Sequence, residues 1–364
     1  MKYLKGDDMR NIPFSFFDIE VCDKTAWFVS AYYPALFSYN LISKDCEMET
    51  MLPTTDGILA NSYGPIIKYE NLLVIVPRCL PWILLYDIDS KRSEKIEINI
   101  DLLKEKGRYN LFSSAYLHNG YVYVFPGRYP AIVKLSIQTK TIEYINDWYI
   151  EIQGKLQNEN YVLFRNPVRK GNIVFLPGQS GMFMSFDMTC DKYELSYCKN
   201  EEIISAIDFV EGKMICSYRD KNFITVDDVM VSNGSDYNGV DSIVVNGNDI
   251  YVFPIVGGCV QKYNLSNREW RSIYELPNAS LLNYFRYKVY DCNFLSVKKI
   301  GDRIFFSSVY DGKMIILDIQ NDTTEVHELF ADDRELIKSS LVNGFEMERA
   351  NYTLSNYLDD LVYI

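Results

Sequence analysis

The segment Asp249–Leu276, DIYVFPIVGGCVQKYNLSNREWRSIYEL, constrains the fold more than any other stretch, because degenerate copies of it run the length of the chain. It opens on an apolar run, Ile250–Phe253, and breaks at Pro254 and at Gly257-Gly258. A second run, Val260–Leu265, ends in the polar turn Ser266-Asn267-Arg268, and a third begins near Trp270. Short apolar runs punctuated by Gly, Pro and Asn read as strands joined by tight turns. Related units cover Ile12–Leu52, Gly64–Ile98, Leu111–Ile145, Tyr161–Cys198, Ile203–Val231 and Asn293–Leu329, which makes seven with the lead-in from Asp241. The fifth unit, with KMICSYRDKNFITVDDVMV, is the most eroded.

The second strands start near residues 25, 72, 121, 172, 213, 249 and 303, a repeat of roughly 36 to 54 residues. That period suits four-stranded blades. Runs such as YVYVF (121–125) and NIVFL (172–176) are apolar on both faces, as a strand pressed between two neighbouring sheets must be. HNG at 118–120, KG at 170–171, EG at 211–212 and NGN at 246–248 supply hairpin turns. The expected fold is therefore all-β, a seven-bladed β-propeller of four-stranded antiparallel blades, or a six-bladed one if the fifth unit does not close. Residues 1–330 make the propeller and 331–364 a C-terminal helical extension beside it, with 332–341 and 353–363 helical and Leu354, Tyr357, Leu358 and Leu361 on one face. That extension either packs on the propeller or docks a partner. The connections 100–110, 146–156 and 278–290 are each expected to hold a short helix capped by Asp101, Asp147 or Asn278.

The unit at 249–277 resembles a kelch repeat, with its diglycine Gly257-Gly258, Tyr263, Trp270 seven residues on, and Leu276-Pro277 at its end. The resemblance implies a kelch-type propeller in which the diglycine closes the second strand and the aromatic pair packs between blades. The third and fourth units keep Pro126-Gly127 and Pro177-Gly178, place Leu135 and Phe186 at the tyrosine position, and fill the tryptophan position with Ile142 and Tyr193. Propellers of this kind include binding scaffolds and enzymes, so function has to come from the site.

A formal charge of −12 disfavours nucleic acid and anionic membrane surfaces. The N-terminal MKYLKGDDMRN lacks the apolar core of a signal peptide, and no apolar run is long enough to span a bilayer, so a soluble, cytoplasmic protein without membrane insertion is expected. The eight cysteines form no CxxC and read as free thiols. Five Asn-x-Ser/Thr sequons are the chance yield of an Asn-rich chain.

In blades ordered this way, the second-to-third loops share one face with the connections between blades. Those loops are the longer ones, and ligands meet a propeller there. They place Arg78, Trp82, Arg128, Tyr129, Gln179, Arg219 and Tyr310 as candidate ligand-binding residues, flanked by Tyr33, Cys79, Tyr63, Arg165, Asn166, Arg108, Tyr109 and Arg286. Arginines recurring at equivalent loop positions in an acidic chain suit a carboxylate, phosphate or sugar through forked hydrogen bonds and ring stacking. The bland alternative is that they pair with the abundant carboxylates. Asp18 and Glu20 share one face of an inner strand and can line the channel.

Signals for catalysis are thin. His118 sits in a turn on the opposite face and His327 on an outer strand; GxSxG, HExxH and P-loop patterns are missing. No cofactor, metal or catalytic residue is assigned. The expected function is a non-catalytic propeller binding a protein, peptide or glycan partner at its long-loop face. The alternative is a propeller enzyme of isomerase or lyase type acting on an anionic sugar or a peptide end, so enzymatic status stays open with the balance against it.

Overall fold

The computed structural model describes residues 11–13, 15–31, 33–55, 61–103, 110–153, 162–198, 202–232, 238–256, 258–275, 294–308 and 312–332. They form seven blades of four antiparallel strands set in a ring. Blade 1 comprises Phe16–Cys22, Thr25–Ser30, Ala35–Asn40 and Cys46–Met51; blade 2 comprises Tyr63–Tyr69, Leu72–Pro77, Trp82–Asp87 and Arg92–Glu97. Blade 3 has Phe112–His118, Tyr121–Pro126, Ile132–Ser136 and Ile142–Ile145, and blade 4 has Val168–Lys170, Ile173–Pro177, Met182–Asp187 and Lys192–Tyr197. In blade 5 the strands are Ile204–Val210, Lys213–Tyr218, Ile224–Val226 and Val229–Val231. Blade 6 runs Asn238–Asn246, Asp249–Val256, Cys259–Asn264 and Glu269–Glu275, and blade 7 runs Phe294–Ile300, Arg303–Ser308, Lys313–Asp318 and Thr323–Glu328. The eroded fifth unit does close, although its last two strands have only three residues each.

The ring is held by seven apolar clusters, one at each seam, as stacked blades that cannot bury their own faces require. At the 2/3 seam, Val74, Ile83 and Leu85 meet Leu111, Val122 and Val133. At the 3/4 seam, Tyr123 and Phe125 meet Leu176, Met184 and Phe186 over Trp148. Among the described residues the smallest cluster lies at the 4/5 seam, around Ile207, Cys216 and Tyr218. Second and third strands are buried on both faces, whereas Arg92–Glu97, an outer strand, is almost wholly exposed.

The inner strands present unpaired edges to the axis, and their amides need partners. Side chains from adjacent blades supply them. The Asp208 carboxylate, on blade 5, accepts from Val245 N of blade 6 at 3.1 Å and holds Lys170 Nζ of blade 4 at 2.6 Å. Asp18 repeats the device, accepting from Ile66 N of blade 2 at 3.1 Å while Lys298 Nζ of blade 7 lies 3.1 Å away. Glu20 stands beside it, 3.4 Å from the same ammonium, and burial raises its carboxyl above the ordinary range despite the pull of Lys298. The expected Asp18/Glu20 pair thus faces the axis as an inter-blade clamp.

A second repeated device fastens the outer parts of two seams. Tyr123 OH donates to Asp191 at 2.7 Å, and Lys134 Nζ lies 2.6 Å from the same carboxylate. Tyr251, Lys262 and Asp322 reproduce it between blades 6 and 7, at 3.0 and 2.8 Å.

Blades 1 and 7 close the ring without exchanging a strand. Outside the blades, Asn11–Pro13 pairs antiparallel with Phe330–Asp332. The Ser15 and Ser307 hydroxyls bond across the closing seam, and Tyr39 OH meets buried His327 Nδ1 at 2.7 Å. Burial, and the Lys44 ammonium after it, hold the His327 imidazole below its ordinary 6.5 against the attraction of Glu325. The unfolded chain therefore takes up this proton near pH 6.5 while the folded one still excludes it. The neutral-histidine contribution is complete above 6.5 and is lost as pH falls below it. A series of thermal unfolding midpoints is expected to show the wild type losing stability below pH 6.5 more steeply than His327→Gln.

The short helix between blades 3 and 4 spans Asp147–Ile152, and a 3-10 turn spans Ile100–Leu102. The cap positions belong to Asn146 and Asn99, not to the expected Asp147 and Asp101, which lie in the first turn where negative charge is favoured by the backbone dipole. The helices expected at 278–290 and 353–363 lie outside the described residues, as does 332–341 apart from Asp332, the last residue of a strand.

Candidate binding site at the mouth of the propeller

Six inner strands enter the ring through a break in register at the long-loop face: Phe16/Ile19, Tyr63/Ile66, Phe112/Ser114, Ile204/Ala206, Val240/Ser242 and Phe294/Ser296. An extra residue in one strand bends it and re-aims side chains, a device that recurs beside functional sites. Phe17, Ser113, Ser205 and Asp241 occupy these breaks. Backbone bonds tie the same level together around the ring. The carbonyls of Ala31, Arg78, Gly127 and Gly178, in second-to-third loops, accept from Asn61, Leu111, Leu163 and Ile204 N of the following blade at 2.6–3.0 Å. The loops that carry the candidate residues are thereby fixed by main chain.

On one side of the mouth, Arg78 reaches across blade 2 to blade 1. Its guanidinium carbon stands 3.5 Å from the centre of the Phe17 ring, and its Nη2 donates to Asn110 Oδ1. Gly64 makes room for it, since a Cβ there would approach Arg78 Cγ to 2.8 Å. Arg128, one residue past the matching place in blade 3 (Gly127), is half-buried, its N bonded to Leu111 O at 3.0 Å.

The densest group lies where blades 4, 5 and 6 meet. Asn166, with φ 33°, donates from Nδ2 to Ser205 O at 3.2 Å and to Asp241 O at 2.7 Å, so one side chain spans three blades. The Asp241 carboxyl lies in the field of Arg165 and Arg219 and beside Asn166. Burial raises its pKa above the ordinary carboxylate range, a rise that both guanidinium groups and the Asn166 bond counteract. Arg219 is placed by two main-chain constraints: its N bonds Ile203 O at 3.1 Å, and its carbonyl lies against Gly239. Two guanidiniums and an amide around one part-buried carboxyl can exchange that internal partner for an incoming anionic group.

Other candidate residues are built into the wall. Trp82 is 6% exposed, donates from Nε1 to Tyr63 OH at 3.1 Å and lies under Lys95 Nζ at 3.8 Å. Tyr129 is fully buried, with its hydroxyl on Asn99 O at 2.7 Å. Gln179 is buried and donates to Val162 O at 3.2 Å. Tyr63 gives its hydroxyl to Pro53 O at 2.5 Å, and Tyr33 packs edge-on against Phe37. Burial pushes the Cys79 thiol up to about 12 in spite of Arg78, which leaves it protonated and a weak nucleophile at neutral pH. Tyr310, Arg108, Tyr109 and Arg286 lie outside the described residues. Among the described residues, no cluster of His, Cys, Asp and Glu could hold a metal ion.

Asp241 is the residue that sequence reasoning passes over. Its signal is an aligned column: Phe112-Ser113, Ile204-Ser205 and Val240-Asp241 each place a polar residue straight after the first apolar one of an inner strand. The column has meaning only once the register breaks are known.

No family model and no curated protein matches the sequence. Solved structures with the same fold include YCF48 from Cyanidioschyzon merolae, 13% identical over 82% of this chain and 94% of that one, with a TM-score of 0.57. YCF48 bound to D1 peptide is 14% identical over 82% and 93%, with a TM-score of 0.56. The extracellular domain of a putative one-component system from B. thetaiotaomicron is 10% identical over 89% of this chain, with a TM-score of 0.54; this chain covers 39% of that one. At such identities the likeness is one of fold. The chain is a seven-bladed β-propeller with propeller neighbours. No helix among the described residues is long and apolar enough to cross a membrane.

Proposed function

We propose that this propeller is a binding module that takes an acidic segment or a free carboxylate of a protein partner into the mouth of its long-loop face. The observation that carries the reading is the convergence of Arg165, Asn166 and Arg219 from two blades on Asp241 of a third. Arg78 over Phe17, and Arg128 one residue past the equivalent position in blade 3, extend the cationic rim within a chain of net charge −12. A protein repelled by acids over most of its surface and cationic at one opening favours anionic partners there. The neighbour solved with a bound peptide makes a peptide ligand a natural choice for the fold.

The kelch-type reading of blade 6 is supported by the rings of Tyr263 and Trp270, whose centres are 4.9 Å apart and which pack with Ile215 and Ile224 of blade 5. Free thiols at Cys22, Cys46, Cys79, Cys190, Cys198, Cys216 and Cys259 suit the reducing cytoplasm.

The test uses immobilised full chain and a pool of short random peptides, with free or amidated carboxyl ends, read by mass spectrometry. Acidic or free-carboxylate peptides are expected to be enriched. Arg165→Ala and Arg219→Ala should each weaken the selected peptide about tenfold or more while leaving the unfolding midpoint near the wild-type value. Enrichment that ignores charge, or undiminished binding by both variants, would overturn the reading. A second reading rests on Asp241 alone: a carboxyl held up by burial beside two guanidiniums suits a proton donor acting on an anionic sugar. It requires turnover that Asp241→Asn abolishes.

A further inference from the structure

We propose that Cys198 and Cys216 are a modification site, joined by a peroxide into an intramolecular disulfide that fastens blade 4 to blade 5. The two sulfurs are already 3.9 Å apart, both thiols are free, and both are buried in the 4/5 seam. A disulfide is about 2.05 Å long, so closure asks for a movement of about 1.9 Å, within the reach of two side-chain torsions. Cys198 follows the outer strand of blade 4, and Cys216 lies in the second strand of blade 5. Among the described residues their seam has the smallest cluster of fully buried apolar side chains, so a covalent tie there adds to a modest hydrophobic contact.

The pair also sits under the proposed binding residues. Cys198 N bonds Gly181 O at 2.8 Å, Gly181 N bonds Glu202 O at 2.7 Å, and Arg219 N bonds Ile203 O at 3.1 Å. Cys198 therefore anchors the connection from which Arg219 is hung. Oxidation ties that connection to the strand that ends at Tyr218, one residue before Arg219.

The chemistry is asymmetric. Cys198 is the more exposed, at 9% against 1%. Its hydrogen bond with Cys216 draws it below its ordinary 9.0 against burial, and the same bond holds Cys216 up. Cys198 thiolate attacks hydrogen peroxide, the O–O bond breaks, and a sulfenic acid and hydroxide form; the hydroxide takes a proton to become water. The Cys216 thiol then attacks the Cys198 sulfur, the S–O bond breaks, and a second water leaves with the Cys216 proton. Two thiols are oxidised to one disulfide and one peroxide is reduced to two waters.

The full chain is treated with hydrogen peroxide, alkylated and digested without reduction. The expected result is a linked peptide pair containing Cys198 and Cys216, lighter than the sum of its thiols by two hydrogens. The unfolding midpoint should rise by on the order of 3–6 °C, returning with dithiothreitol. Cys198→Ser and Cys216→Ser should show no such rise. Recovery of both cysteines in alkylated form while exposed Cys190 oxidises would overturn the proposal, as would Cys198 advancing to sulfinic acid beside a free Cys216. The wild-type peptide map decides even if a serine variant fails to fold.

Discussion

Gly239→Ala is expected to destabilise the protein by about 3–5 kcal/mol and to displace Arg219 from the mouth. Gly239 has φ +75°, and a Cβ there would fall 1.7 Å from Arg219 O and 3.0 Å from Ile255 Cδ1. The first obstacle is main chain held by the Arg219–Ile203 bond, so no rotamer relieves it. Gly120→Ala is the internal control. Gly120 has φ +78° but meets nothing within 4 Å, so alanine there carries only the left-handed strain of about 1 kcal/mol. Denaturant unfolding of the two variants checks the contrast. Equal losses would mean that the close approach of blade 5 to blade 6 is not what fixes Arg219.

The second large effect concerns Asp208. Replacing it with alanine is expected to cost about 2–4 kcal/mol, read as a fall in unfolding midpoint. Three groups lose their acceptor: Val245 N, Phe209 N at 2.7 Å and Lys170 Nζ. The lysine side chain is 40% exposed and can turn to water. Val245 N is in a buried residue and has no such recourse, so the amide dominates the loss. Asp208→Asn, which keeps one acceptor oxygen, should fall between alanine and wild type. A neutral alanine variant would contradict the view that side chains from neighbouring blades satisfy the inner edges.

Much of this was legible in the residues. Second strands expected near 25, 72, 121, 172, 213, 249 and 303 begin at Thr25, Leu72, Tyr121, Ile173, Lys213, Asp249 and Arg303. Strands buried on both faces and turns of the Asn119-Gly120 kind, both at positive φ, announce themselves locally. The fifth blade, and with it the count of seven, was ambiguous because three-residue strands such as Val229–Val231 carry no alternation to read.

The site was harder. Position within a blade tells which loop a residue occupies, and on that basis Arg78, Arg128 and Arg219 stand at the long-loop face. Trp82, which opens the third strand of blade 2, and Tyr129 turn their side chains into the seams, where apolar area and satisfied hydrogen bonds outweigh exposure, and Gln179 is buried on Val162 O. Asp241 depends on the charges of residues 22 and 76 positions earlier, Arg219 and Arg165, which no local pattern encodes. The Asp208–Lys170 and Asp18–Lys298 clamps are likewise products of the ring's closure.

The most direct test is hydrogen exchange on the full chain with and without a selected acidic peptide. Slowed exchange is expected in the backbone around 165–170, 203–206, 218–220 and 239–242, the strands and loops that carry Arg165, Asn166, Ser205, Arg219 and Asp241. Protection confined to the outer strands, or to the opposite-face turns at 119–120 and 211–212, would contradict it.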